Sequence, residues 1–480
     1  MQQPPFLPPQ PSAMLRHFGV TLDDLKKALA AALEKGADYA DLFFEHSFEN
    51  YLSLRDGTVN RASADVDYGV GVRAVKGDQT GYAYVESTNL DDMLNAARTA
   101  SCIARSGQTR LGGEIKTDVR FPQTRILTSW EDVAVKSKIP YVQTLNDRIF
   151  ALDRRISKVS VSLNDTTTYV LFCNSEGLCY ADYRPMAILT AVCVMEQNGQ
   201  IENGQASVSQ QKGFEFLTDD LLADLAQNVV RKTAVLFDAV KPRGGEMPVV
   251  MAAGSSGILL HEAIGHAFEA DFNRKNESIF SDKLGKQVCD ARITVVDDGT
   301  LPYSRGAVNV DDEGVAGQKT CIVTHGVLTS YLHDRISARY YGVAPTGNGR
   351  RQSFRHAPLP RMRVTYMENG DADEQDIIAA VKNGVYVDNF TNGQVQIGAG
   401  DFTFFVKSGY LIENGKLTQP IKDINIIGNG PQALADITMV GNNCRIDAGA
   451  WTCGKNGQSM PVSQGLPSVL VKKLTVGGES

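Results

Sequence analysis

The sequence lacks any run of roughly 18 or more apolar residues, so no segment is long enough to cross a bilayer as a helix, and no membrane association is expected. It also lacks a basic surplus. With 48 Lys and Arg against 55 Asp and Glu, the net charge is -7 and the two signs are interspersed, so direct binding of nucleic acid is not expected. Zinc-finger cysteine pairs, a P-loop and a dinucleotide fingerprint are all missing, and Gly428-x-Gly430 is too isolated to make a phosphate site. Eight scattered cysteines in a chain of 480 residues do not form a disulfide framework, which suits a reducing cytoplasm. The N-terminus has neither the positive charge nor the apolar core of a signal peptide. Pro4, Pro5, Pro8, Pro9 and Pro11 instead predict a flexible extended tail over residues 1–18.

Histidine is scarce, with 7 in the chain, yet two fall within six residues: His261-Glu262-x-x-x-His266. Imidazole pairs hold zinc, and a neighbouring carboxylate can take a proton from water that the ion has acidified, so the stretch carries the parts of a metal hydrolase. The familiar HExxH motif places its histidines at i and i+4, on one helical face. Here the spacing is i, i+5. At about 100° per residue, a regular α-helix would turn the second histidine roughly 140° from the first, too far to share an ion. A π-bulge would bring them back together, and Gly265 would ease the distortion. The β-like run Met247–Met251 and the small residues Gly254-Ser255-Ser256-Gly257 place a strand and a helix start just before Ile258.

A catalytic zinc takes three protein ligands and keeps a fourth position open. For the third, the candidates are Glu269, Asp271, His325, His333, His356 and the cysteines, and spacing alone does not choose. Cys453 stands out because its glycine-rich turn, Thr452–Gln458, could present a thiolate, with Lys455 lowering its pKa. The other cysteines lie mostly in apolar runs and read as inert buried thiols. Arg350, Arg351, Arg361 and His356 are candidates for steering a carbonyl or a substrate terminus, against the plainer reading of solvated or salt-bridged surface groups.

Several segments, in order, make the chain resemble the TldD/PmbA family, once described as modulators of DNA gyrase and now regarded as metallopeptidases. They are the His261–His266 motif with Glu269-x-Asp271-Phe272, Arg350-Arg351-Gln352-Ser353, Pro358-x-Pro360-Arg361-Met362, Gly393-Gln394-Val395, Gly428-Asn429-Gly430-Pro431, and Cys453-Gly454-Lys455-x-Gly457-Gln458-x-x-Pro461-Val462. The resemblance implies one zinc per chain, held by His261, His266 and Cys453, and unfolded or leader-type peptides as substrates, and the chemistry of the motif makes Glu262 the expected general base in their hydrolysis. It also implies a dimer, either of two copies or with a family paralogue. Two other readings stay in view: a regulatory or assembly protein with structural zinc, and a metal hydrolase of non-peptide amides.

Periodicity predicts an α+β protein. A helix capped at Thr21 leads into alternating segments over Tyr39–His46, Asn50–Arg55, Thr58–Asp65, Gly69–Val75 and Gly81–Glu86, then a helix over Leu90–Arg105. The order recurs as a helix over Pro140–Leu152, strands over Val159–Leu163, Tyr169–Asn174, Leu178–Tyr183, Ala187–Met195 and Gln200–Val208, and a helix over Thr218–Leu236. This suggests an internal duplication of a unit built from antiparallel strands and long helices. Beyond the Pro/Gly-rich Lys241–Gly245, short strands with glycine turns such as Asn414-Gly415 predominate. The expected division is a tail over 1–18, an N-terminal α+β domain over 19–240, and a C-terminal β-rich metallopeptidase domain over 246–480 that carries the metal-binding helix. The glycine-rich strands near Gly393–Gly400 read as closely packed or, alternatively, as an edge to which an extended peptide could add.

Overall fold

Strands β1 (Tyr39–Arg55), β2 (Thr58–Lys76) and β3 (Gln79–Val85) form one antiparallel meander, and β4 (Ile156–Asn174), β5 (Cys179–Gln197) and β6 (Gln200–Gln210) form another. In the computed structural model, which describes residues 9–104, 109, 113–119, 121 and 124–478, β1 and β4 join the two meanders into one six-stranded sheet. Its order is β3-β2-β1-β4-β5-β6. Two-residue connections at Asp56-Gly57 and Asn198-Gly199 take positive φ at both positions, as a hairpin matching the strand twist requires.

Helices α2 (Leu22–Leu33) and α3 (Leu90–Ser101) pack on the first half of the sheet, and α4 (Val135–Leu152) and α5 (Asp219–Ala234) on the second. The element order of one half thus repeats in the other. Thr21 and Asp24 close the expected capping box of α2. The strands are longer than periodicity suggests, since alternation splits β1, β2, β4 and β5 into two pieces each. Their middles carry polar residues such as Glu49, Asp67, Asn164 and Arg184, which look like loops in sequence but continue the ladder in space.

Part of the tail expected over residues 1–18 is helical instead. Residues 1–8 lie outside the described residues, but Pro11–His17 forms α1, where Pro11 occupies the first turn and sacrifices no helical hydrogen bond. Met14 and Phe18 bury against the core there. Arg105, the expected end of the third helix, also lies outside the described residues; the helix stops at Ser101. Cys173 and Cys179 face each other across β4 and β5 and are bonded, and Cys102 and Cys321 are exposed, so the picture of mostly inert buried thiols is corrected at these four. Among the described residues, no helix is long and apolar enough to cross a membrane.

In the C-terminal half, β7 (Gly245–Met251) lies between Asn383–Gln396, to which it is parallel, and Val469–Gly477, to which it is antiparallel. Asp401–Glu413 and Lys416–Asn429 follow as hairpins, the second turning at Asn414-Gly415 as expected. Lys416–Asn429 also pairs with Val469–Gly477, which closes the strands into a barrel. A second, mixed six-stranded sheet includes Val295–Asp298, Val364–Met367 and Ser463–Leu466. Between these layers Leu259, Leu260, Ile264, Phe268, Met362 and Phe404 make one apolar core, which encloses the segment bearing the two histidines.

Candidate metal centre

After β7 the chain turns at Gly254, which has φ +97°, and enters a tight turn over Ser255–Gly257, one α-turn over Ile258–Leu260, and a turn of π-helix over His261–Gly265. No serine side chain caps this start; Ser255 Oγ instead donates to the Asp388 carbonyl at 2.8 Å. Gly257 is needed for space, since a Cβ there would lie 2.5 Å from the Gly465 nitrogen. The His266 N–H donates to the His261 carbonyl, the i to i+5 bond that the histidine spacing demands. The two rings now lie on one side, with centroids 5.1 Å apart and planes at 82°. Gly265 contributes by its size, because its φ of -57° is ordinary helix. A Cβ at that position would sit 2.1 Å from Met362 Sδ.

Cys453 arrives from a separate hairpin, Thr452–Lys455 with Gln458–Pro461. Its Sγ lies 3.3 Å from His266 Nε2, and one atom each from His261, His266 and Cys453 all fall within 4.8 Å of one another. All three side chains are buried. Ligands of a tetrahedral zinc stand roughly 3.3–3.7 Å apart, so this spacing suits an ion at the centre. Among the described residues the buried Nδ1 of His261 has no hydrogen-bond partner, a costly arrangement for a ring nitrogen with no ligand to serve. Burial alone would raise the Cys453 pKa, but His261 and His266 beside it outweigh that and bring it down to about 4, so the sulfur is a thiolate ready to ligate.

Lys455 does something other than activate that thiolate. Its ammonium contacts Glu269 Oε2 at 3.0 Å and Asp271 Oδ1 at 2.7 Å. Glu269 in turn meets His266 Nδ1 at 2.9 Å. A carboxylate on the far nitrogen fixes the ring so that Nε2 faces the cluster. Burial opposes the charge on Glu269, yet Lys455 and His266 hold its pKa down at about 2. Glu269 and Asp271, candidate ligands by sequence, therefore lie behind the His261, His266 and Cys453 cluster and buttress it. Sequence could have flagged this role from the i, i+3 spacing of Glu269 from His266.

The remaining candidates fall elsewhere. His325 is exposed, His356 pairs with Ser353, and His333 is buried with its pKa pushed down to about 4; none joins the cluster. The surface reading of the arginines is corrected: Arg350, Arg351 and Arg361 are all buried. Arg361 donates to the Cys453 carbonyl at 2.6 Å and to the Gln458 carbonyl at 3.3 Å, tying the hairpin down.

Glu262 is half-buried beside the cluster, and its carboxylate makes no side-chain hydrogen bond among the described residues. Burial raises its pKa, and the two histidines only partly offset this. Against its Cγ lies Gly393, where a Cβ would approach to 3.0 Å, so the strand Asn383–Gln396 passes directly over the carboxylate. That strand pairs with Asp401–Glu413 along most of its length but with β7 only over Val385–Val387. Beyond this point its other edge has no strand partner among the described residues. The glycine-rich strand is thus closely packed on Glu262 and open along one edge.

Family models match three stretches of the chain: PmbA/TldA metallopeptidase domain 1 at residues 40–104, the central domain at 128–237, and the C-terminal domain at 244–478. A metalloprotease TldD homolog from Haemophilus influenzae is 40% identical over 451 residues, covering 92% of this chain and 94% of its own. A zinc metalloprotease TldD homolog from Saccharolobus solfataricus is 28% identical, with 94% and 99% covered. Among solved structures, one from Thermotoga maritima matches with TM-score 0.75 at 22% identity, covering 95% of this chain and 100% of that one. TldE from Thermococcus kodakarensis matches at 0.71 and 18%, with 95% and 100% covered, so the fold is shared at low identity. With an ordered histidine and cysteine cluster, matching domain models along most of its length and a relative this similar across nearly its whole extent, the chain belongs to the TldD/PmbA family of metallopeptidases.

Proposed function

We propose that the chain is a zinc-dependent peptidase in which His261, His266 and Cys453 hold the ion and Glu262 is the general base. The observation that carries this reading is the meeting of two imidazoles and a thiolate within 4.8 Å beside a half-buried carboxylate, Glu262, that makes no side-chain hydrogen bond among the described residues. Three donors of this kind leave a fourth position open, whereas a structural zinc is closed by four protein ligands. When bound, zinc polarises a substrate carbonyl and acidifies water.

The chain's own groups do the rest. Glu262, with its pKa raised by burial, takes a proton from the attacking water and returns it to the leaving amine. Glu269 and Lys455 keep the His266 ring oriented. The open edge beyond Val387 offers backbone N–H and C=O groups to an extended peptide, which favours unfolded, leader-type substrates with little side-chain selectivity. The shared fold with TldE supports a partnership with a second copy or a family paralogue.

Glu262→Gln tests the base. The zinc-loaded variant should retain metal and lose cleavage of an unfolded peptide by at least about 100-fold, followed by mass spectrometry. Undiminished cleavage would remove Glu262 from this role. Cleavage of amides without any peptide substrate would favour the non-peptide reading.

A further inference from the structure

One face of the six-stranded sheet carries α2 to α5, and the other looks onto the C-terminal half across a cavity of about 330 Å³. The carboxylates on its wall have partners of their own. Asp182 and Asp312 meet Arg184 at 2.7 and 2.6 Å, Glu49 accepts from Asn164 at 2.6 Å, and Glu45 accepts from the Phe354 N–H at 2.6 Å.

Among the described residues three wall arginines, Arg305, Arg350 and Arg363, do not, and Arg363 turns its Nε onto the Gly347 carbonyl. Arg305, 7% exposed, donates only to neutral acceptors: the Trp451 carbonyl at 2.9 Å, Ser209 Oγ at 2.9 Å and Thr452 Oγ1 at 3.1 Å. Arg350, 4% exposed, donates to the Met362 and Pro461 carbonyls at 2.6 and 2.7 Å. Among the described residues no carboxylate oxygen lies within 4.0 Å of either guanidinium. An uncompensated buried charge costs several kcal/mol in general, and the planar fork of arginine matches a carboxylate or phosphate. Both residues also grip the hairpin that bears Cys453, since Thr452 and Pro461 are directly paired.

We propose that this cavity is an oxyanion site in which Arg305 and Arg350 receive a carboxylate or phosphate group. Its size suits the end of a short peptide or a free anion. The peptide source, a terminal α-carboxylate, rests on the peptidase reading; free phosphate does not.

Calorimetric titration of the full chain distinguishes them, with an N-acetyl tripeptide as free acid, the same peptide as its C-terminal amide, and inorganic phosphate. Each is titrated into zinc-loaded and chelator-stripped protein. The free acid should bind at least tenfold tighter than the amide in both states, and Arg350→Gln should bring the acid-to-amide ratio of affinities down to about one. Saturable phosphate binding that competes with the free acid would support the site with a free anion as a second source. Equal affinity for acid and amide together with no phosphate binding would overturn the proposal without the variant. So would a preference lost on stripping zinc, which would assign the carboxylate to the metal. Because binding is read apart from cleavage, a peptide that is hydrolysed without any acid preference would leave the peptidase reading standing and remove this one.

Discussion

At the scale of single residues, the histidine and cysteine cluster depends on groups outside it. Glu269 is fully buried, and it satisfies both His266 Nδ1 and Lys455. Glu269→Gln would keep a hydrogen bond to the ring but lose the charge that fixes it. Zinc affinity should fall about 10–100-fold, measured by competition with a chromophoric chelator. An unchanged affinity would mean that packing alone orients His266. The two histidines and the glutamate are legible from spacing, and Cys453 from its turn and from the family pattern. The part played by Lys455 is not, because sequence adjacency to Cys453 hides a side chain that points to Glu269 and Asp271 instead.

At the scale of elements, the i, i+5 spacing translates directly into a π-turn, because only that hydrogen bonding puts both rings on one side. What sequence does not supply is the reason for Gly265, which lies in a neighbour distant along the chain. Gly265→Ala would press a methyl group on Met362 and should cost about 1–3 kcal/mol, read as a lowered midpoint in denaturant unfolding. Adding Met362→Ala should make the pair's combined loss smaller than the sum of the two single losses; simple additivity would show that the clash is not the cause. The full length of the long strands escapes sequence for a related reason. Alternation fails where a strand face lines a cavity, so the polar stretches around Glu49, Asn164 and Arg184 look like breaks.

At the scale of the whole molecule, ionic contacts join the six-stranded sheet to the C-terminal half, and these are invisible in composition. Arg73 on β2 meets both Asp41 and Glu313 at 2.5 Å with no exposure, and Arg351 reaches Asp41 at 3.3 Å. Arg355 pairs with Asp67 and with Glu86. Glu45 belongs to this seam, and burial pushes its pKa from the ordinary 4.5 up to about 7. Between those values the folded state keeps a proton that the unfolded chain has released, so this group makes stability fall as pH rises through the window. Glu45→Gln retains an acceptor for the Phe354 N–H and cannot titrate. Relative to the parent, it should gain roughly 1–3 kcal/mol between about pH 5 and pH 8, measured by urea unfolding. Parallel profiles for the two proteins would contradict the burial argument.

The proposed centre draws His261, His266 and Cys453 from two distant segments, so its most direct test is metal content by mass spectrometry for the parent chain and Cys453→Ala, each purified without chelator and then resupplied with zinc. About one zinc per chain is expected in the parent and little in the variant. Full occupancy in the variant would place the third ligand elsewhere, and a parent that holds no zinc would contradict the metal centre itself.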